Sequence, residues 1–176
     1  EELSRDVLFL SESPPLPGLI RAAKNKGFDP LGESTEKQWL QRLTSQFKTL
    51  LSTNPSYMQV RLLRASGREW VKAVQDKQQI QVISARDLQN KSSEDYFIQS
   101  QQLKPGQLYF SPISLNREFG KISQPHTPVL RCVIPIYDKN KLFALIIINL
   151  DFSHLLQKLE GAYKRHDHQL IVTNSQ

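Results

Sequence analysis

Near residue 56, the apolar residues of this chain change their spacing from a helical period to a strand period. The strongest helical stripe recurs every three or four residues, at Leu40, Leu43, Phe47, Leu50 and Leu51. Thr35 and Gln38 are spaced as a capping box at the start of that helix. Beyond residue 56, apolar and polar residues alternate in YMQVRLLRA, REWVKAVQ and PVLRCVIPIY. Helices followed by strands predict an α+β fold, in which an antiparallel sheet of about five strands carries the N-terminal helices on one face.

Turn residues and changes of period divide the chain into three regions. Residues 1–56 are the predicted N-terminal helical region. Residues 57–152 are the predicted sheet domain, whose first two strands flank the hairpin signal Ser66–Gly67, and which includes a polar crossover at residues 86–101. Residues 153–176 are predicted to form a connecting helix and the start of a further strand, QLIVT. We expect a fragment of a longer protein, because the chain lacks an initiator Met and begins as a helix already under way.

Composition and motifs argue against several classes of function. The net charge of +6 fits a nucleic-acid binder, but the 23 basic residues are scattered and match no zinc-finger, RNP or basic-helix pattern. We therefore expect no nucleic-acid partner. The chain has no phosphate loop, nucleophile elbow or metalloprotease motif, so we do not expect an enzyme. Cys132, the single cysteine, lies in an alternating strand and is predicted to be buried and inert.

Two arginines occupy apolar strands and are the first candidate ligand residues. Arg61 lies in YMQVRLLR, and Arg131 lies in VLRCVIPIY. A guanidinium group inside an apolar strand is stable only when it is paired, and a ligand carboxylate would pair it through two hydrogen bonds. The alternative is an internal salt bridge, for which the candidate partners are Glu69, Asp95 and Glu118.

The predicted pocket wall includes five further residues: Trp70, Lys72, Tyr96, Tyr109 and Asn116. Alternation predicts that Trp70 and Lys72 share one face of their strand. The tyrosine hydroxyls need hydrogen-bond partners, and asparagine suits the turns of a proline-rich loop. For the aromatic residues, the alternative is a place in the apolar core. The adjacent residues His166, Asp167 and His168 lack a fourth metal ligand, so we assign neither a metal ion nor a cofactor.

Four motifs follow one another between residues 8 and 156: YMQVRLLRASGREWVKA, LQNKSSEDYF, SPISLNREFGKI and PVLRCVIPIYD. In their order and spacing the chain resembles the extracytoplasmic double Cache sensor domains of bacterial histidine kinases and diguanylate cyclases. The resemblance implies that residues 57–152 are a PAS-like, membrane-distal module and that residues 153–176 lead into a truncated membrane-proximal module. The chain departs from the family at Lys72, where members often have Arg, and at Glu94, where they often have a basic residue.

These features together predict a sensor domain that binds a small, carboxylate-bearing ligand between the sheet and the crossover. The resemblance implies a parent receptor that is anchored in the inner membrane, faces the periplasm and signals as a homodimer to a kinase or cyclase. The alternative is a protein-interaction module. In that case a periplasmic partner docks on the outer surface, and side chains fill the space beneath the crossover.

Overall fold

The computed structural model describes residues 1–76 and 79–163 of the chain. Two features of the sequence lie outside these residues: the predicted strand QLIVT and the group His166, Asp167 and His168. Within the described residues, no helix is both long enough and apolar enough to cross a bilayer.

The elements follow the predicted order of helices first and strands afterwards. In the described residues the helices are α1 (Glu2–Ser11), α2 (Pro15–Lys24), α3 (Glu36–Thr53), α4 (Asp95–Ser100) and α5 (Ser153–Tyr163). The strands are β1 (Phe28–Asp29), β2 (Ser34–Thr35), β3 (Tyr57–Arg64), β4 (Glu69–Asp76), β5 (Gln79–Val82), β6 (Tyr109–Phe110), β7 (Ser114–Leu115), β8 (Arg117–Glu118), β9 (Lys121–Ile122), β10 (Pro128–Asp138) and β11 (Lys141–Asp151). A 3-10 turn at Ala85–Asp87 begins the crossover.

Seven of the eleven described strands form the main antiparallel sheet, while β1 pairs with β2 and β8 pairs with β9. The order of strands in the main sheet is β5-β4-β3-β11-β10-β6, and β7 also pairs with β10. The predicted α+β fold class is confirmed, although the sheet has seven strands rather than about five. The strand that was not predicted is β7, which has two residues and is too short to show an alternating pattern.

The three N-terminal helices cover one face of this sheet. The predicted capping box of α3 is present: Gln38 N donates to Thr35 Oγ1 at 3.2 Å, and Thr35 N donates to Gln38 Oε1 at 2.8 Å. Leu43, Phe47 and Leu51 of the predicted stripe are fully buried. They pack with inward residues of the central strands, and we call this cluster the helix-side core.

The central strands alternate between the two faces of the sheet. Cys132, Ile134 and Ile136 belong to the helix-side core, whereas Val133 packs in a second cluster on the opposite face. We call this second set the crossover-side cluster, which also contains Leu63, Tyr96, Phe97, Leu145 and Ile147. Cys132 is buried as predicted, and burial raises the pKa of its thiol to about 12.

A β-bulge in β4 separates Trp70 from Lys72. The register of β4 against β3 shifts between Leu62 and Leu63, which leaves Trp70 as an extra residue between registered pairs. The indole consequently packs in the helix-side core, with its ring centroid 5.7 Å from that of Phe143. The prediction that Trp70 and Lys72 share a face is wrong, because strand alternation does not hold across a bulge.

Candidate ligand site

The crossover lies on the sheet face opposite the N-terminal helices and is fastened beside β4. Lys91 N donates to Gly67 O at 2.8 Å, and Glu69 N donates to Gln89 O at 2.9 Å. Gly67 has a φ of +84°, and a Cβ atom there would lie 2.6 Å from the Cα atom of Ser92. Only glycine permits this close approach. The hairpin turn therefore holds the crossover side chains above β3 and β4.

Arg61 lies at the centre of this face and is paired inside the protein. Its guanidinium donates to Asn149 Oδ1 at 2.9 Å, to the Tyr96 hydroxyl at 3.1 Å and to Glu69 Oε1 at 3.4 Å. Arg61 and Glu69 are both buried, with 3% and 2% of their surface exposed. The internal salt bridge is thus the arrangement present, and Arg61 joins β3 to β4, β11 and α4.

Arg131 is buried and has no carboxylate within salt-bridge distance among the described residues. Its Nη1 donates to Ser114 Oγ at 2.8 Å, and its guanidinium carbon lies 5.3 Å from the centre of the Tyr96 ring. The Arg61 guanidinium lies 5.4 Å from the same ring, so both guanidinium groups contact one aromatic side chain. Burial and, next, the charge of Arg61 lower the pKa of Arg131, which nevertheless stays protonated at neutral pH. The charge of a bound anion would raise this pKa.

A cavity of about 390 Å³ opens beside Arg131, and we call it the arginine cavity. It has the volume expected for a small-molecule site. Its walls come from the crossover with α4, from β6, β7, β8 and β10, and from the loops between them. Residues that line it include Ser93, Glu94, Asp95, Tyr96, Tyr109, Ser111, Ser114, Arg117 and Arg131.

A larger cleft of about 960 Å³ contains Lys72 and Asn116 in its wall, and we call it the lysine cleft. Lys72 Nζ donates to both carboxylate oxygens of Glu118 at 2.8 Å. Gln59 and Gln89 each donate to the same carboxylate at 2.7 Å. Burial acts to raise the pKa of Glu118, but the charge of Lys72 and these hydrogen bonds outweigh it and lower the pKa to about 2.

The seven predicted residues therefore do not lie in one site. Tyr96, Tyr109 and Arg131 line the arginine cavity, and Lys72 and Asn116 line the lysine cleft. Arg61 is buried on the same face of the sheet, where it contacts Tyr96. Trp70 lies on the other face.

Sequence reasoning missed three residues, Gln59, Gln89 and Asn149. Their side-chain amides form hydrogen bonds with the charged groups on this face of the sheet. Asn149 carries a signal that could have been used, since it is the one polar residue in the apolar run LFALIIINL. A polar residue inside a buried strand needs an internal partner, and here that partner is Arg61. Gln59 and Gln89 carry no comparable signal.

Comparisons with known proteins match most of this chain. The sequence profile of the family described as bacterial histidine kinase, sensor domain, matches residues 28–175. The extracellular domain of a histidine kinase has 26% identity to this chain, and a domain of a sensory box/GGDEF family protein from Vibrio parahaemolyticus has 25%. Both cover 90% of this chain with a TM-score of 0.74.

A more distant likeness links the chain to chemoreceptors. The ligand-binding domain of the Campylobacter jejuni chemoreceptor Tlp3, solved in complex with L-valine, covers 89% of this chain with a TM-score of 0.61. Its identity of 11% shows a common fold alone. The chain spans 52%, 55% and 54% of the three solved chains, in the order given. No curated protein matches the sequence.

The helices on one face of the sheet, with cavities lined by buried charges on the other, define a sensor-type domain with a Cache-like or PAS-like fold. The profile match over residues 28–175 identifies the family: the chain belongs to the sensor domains of bacterial histidine kinases. The matched family is one of sensor domains and the structural neighbours include ligand-binding domains, and such domains are non-catalytic modules.

Proposed function

We propose that this domain senses a small, carboxylate-bearing molecule that binds in the arginine cavity. The observation that carries the proposal is the buried guanidinium of Arg131, which lacks a carboxylate partner among the described residues while the other buried cations have one. Arg61 is paired with Glu69, Lys72 with Glu118, and Lys91 lies 3.9 Å from Glu94. A ligand carboxylate would supply the missing partner in a geometry that guanidinium recognises through two hydrogen bonds.

Amino acids are the first class of carboxylate to test. Glu94 and Asp95 line the same cavity as Arg131, so a ligand with both a carboxylate and an ammonium group would find partners for each. The Tlp3 domain of similar fold was solved with L-valine and with 4-methylisoleucine. Tyr96 and Tyr109 would then contact the remainder of the ligand.

The receptor context follows from the family and from the resemblance to double Cache domains. We infer that the domain is the membrane-distal module of an inner-membrane receptor, that it faces the periplasm and that it acts in a homodimer. Ligand binding would shift the equilibrium between two states of that dimer and so pass the signal to a cytoplasmic output domain. The alternative is a module that docks a protein partner. That hypothesis predicts that side chains fill the space beneath the crossover, where the arginine cavity lies.

A calorimetric titration with a carboxylate found by a thermal-shift screen tests the role of Arg131. We expect Arg131→Met to weaken binding by about 10- to 100-fold, the loss typical of one charged hydrogen-bonded pair. The matched control is Arg64→Met, which removes a half-exposed guanidinium stacked on Trp70 on the other face. Absence of any stabilising carboxylate or amino acid, or equal affinity of both variants and wild type, would overturn the proposal.

A further inference from the structure

A hairpin formed by β8 and β9 borders the lysine cleft, and we call residues 117–122 the strap. Its residues are exposed except for Glu118, and Phe119 at the tip is 70% exposed. Phe119 and Gly120 form the turn with φ values of +52° and +75°. Since so little of the strap is buried, apolar contacts add little to its stability, and polar contacts must hold it in place.

Glu118 supplies most of the polar contacts by which the strap is held. Its carboxylate accepts hydrogen bonds from Lys72 of β4, Gln59 of β3 and Gln89 of the crossover. The side-chain oxygen of Gln89 contacts the strap as well, because Gln89 Oε1 accepts a hydrogen bond from Phe119 N at 2.9 Å. One carboxylate thus ties the strap to three separate elements of the domain.

We propose that Lys72, Gln59 and Gln89 form an anion-binding site that Glu118 occupies as an internal ligand. A small carboxylate that enters the lysine cleft displaces Glu118, takes over its hydrogen bonds and frees the strap. This site is separate from the arginine cavity, because no described residue lines both. The inference therefore stands whether or not a ligand binds at Arg131.

Exchange of one anion for another is the favourable way to open the strap. Lys72 is only 4% exposed, so withdrawal of Glu118 alone would leave a buried ammonium group unpaired. An incoming carboxylate restores the pairing as Glu118 leaves. The strap consequently stays closed when no anion is present, and the opening depends on anion concentration.

The cleft also indicates what the displacing anion carries besides its charge. Met58, Val74 and Phe119 line the cleft together with Lys72. Their apolar surfaces would contact a short hydrocarbon tail, while the carboxylate remains at Lys72. Short-chain monocarboxylates are therefore the chemical class that fits, and acetate and butyrate are suitable probes.

Removal of Glu118 tests the site by vacating it. We expect sodium acetate to raise the melting temperature of Glu118→Ala in a concentration-dependent way, relative to sodium chloride at equal ionic strength. The Glu118→Ala/Lys72→Met variant should lose this response. The matched control is Asp87→Ala, which removes an exposed carboxylate from the same cleft and should respond as wild type does. Equal responses of all these proteins to acetate would overturn the proposal.

Hydrogen–deuterium exchange tests displacement in the wild-type protein. Butyrate should accelerate exchange at the backbone amides of residues 117–122, and Glu118→Gln should do so without any added anion, by about tenfold or more. Glu118→Gln keeps the size of the side chain, so this variant remains informative if Glu118→Ala does not fold. Exchange in the strap that is unchanged by butyrate and by Glu118→Gln would refute the internal-ligand role. A response to butyrate that survives Arg131→Met would show that it does not arise in the arginine cavity.

Discussion

Replacement of Arg61 by methionine tests whether the buried ion network holds the crossover face together. The guanidinium joins Asn149, Tyr96 and Glu69 at distances of 2.9, 3.1 and 3.4 Å. Without it, the Glu69 carboxylate stays 2% exposed and keeps the backbone N–H of Gln89 as a donor at 2.9 Å. Loss of one partner from a buried ion pair costs about 3–5 kcal/mol, because the remaining charge stays away from water.

We therefore expect Arg61→Met to lower the free energy of unfolding by about 3–5 kcal/mol, measured by urea unfolding at pH 7. The Arg61→Met/Glu69→Gln variant should lose less than the sum of the single variants, because the second change removes the unpaired charge. Arg64→Met is the matched control, since its guanidinium is half exposed on the other face, and it should cost about 1 kcal/mol or less. A loss below about 1 kcal/mol for Arg61→Met, or strict additivity, would refute the reasoning.

Two further predictions concern the strap and the hairpin turn. The pKa of Glu118 in the folded protein is about 2, below its ordinary value of 4.5, so its contribution to stability is present above pH 4.5 and is lost as the pH falls towards 2. Urea unfolding across this range should show a steeper decline for wild type than for Glu118→Gln, and equal slopes would exclude a role for this carboxylate. Gly67→Ala should lower the free energy of unfolding by about 2–4 kcal/mol, since it combines left-handed strain with the clash at Ser92. Gly106→Ala, at φ +78° with no atom within 4 Å of its Cβ, should cost only the strain, about 1 kcal/mol, and equal losses would show that the clash is absent.

The order of elements could be predicted because each one is encoded by its own local pattern. The α3 stripe and its capping box involve residues three or four positions apart, and both are present. Alternation also predicted that Cys132 is buried, and it packs in the helix-side core while its neighbour Arg131 lies on the opposite face against Tyr96. Alternation failed at Trp70, because a bulge adds one residue to β4 without a signal in the sequence.

The partners of the charged residues could not be predicted in the same way. Arg61 and Asn149 are 88 positions apart, and Lys72 and Glu118 are 46 positions apart. The order of the strands brings the first pair together, and the path of the loop after β7 brings the second. Residue type alone therefore indicated that Arg61 needs a negative partner, but Glu69, Asp95 and Glu118 were equally suitable candidates.

The segment from Leu115 to Glu118 forms a wall between the two cavities, and the alternation of its side chains places it in contact with both. Leu115 and Arg117 line the arginine cavity, whereas Asn116 and Glu118 line the lysine cleft. Among the described residues, the backbone ladder between this wall and the sheet is confined to β7 and the start of β10, while β3, β10 and β11 pair along most of their lengths. A short ladder opens at a lower free energy than a long one, so a ligand proposed for either cavity would act on the wall before it disturbed the central strands. The central strands would then remain fixed, and under the proposed function a difference between bound and free states would first arise in the wall.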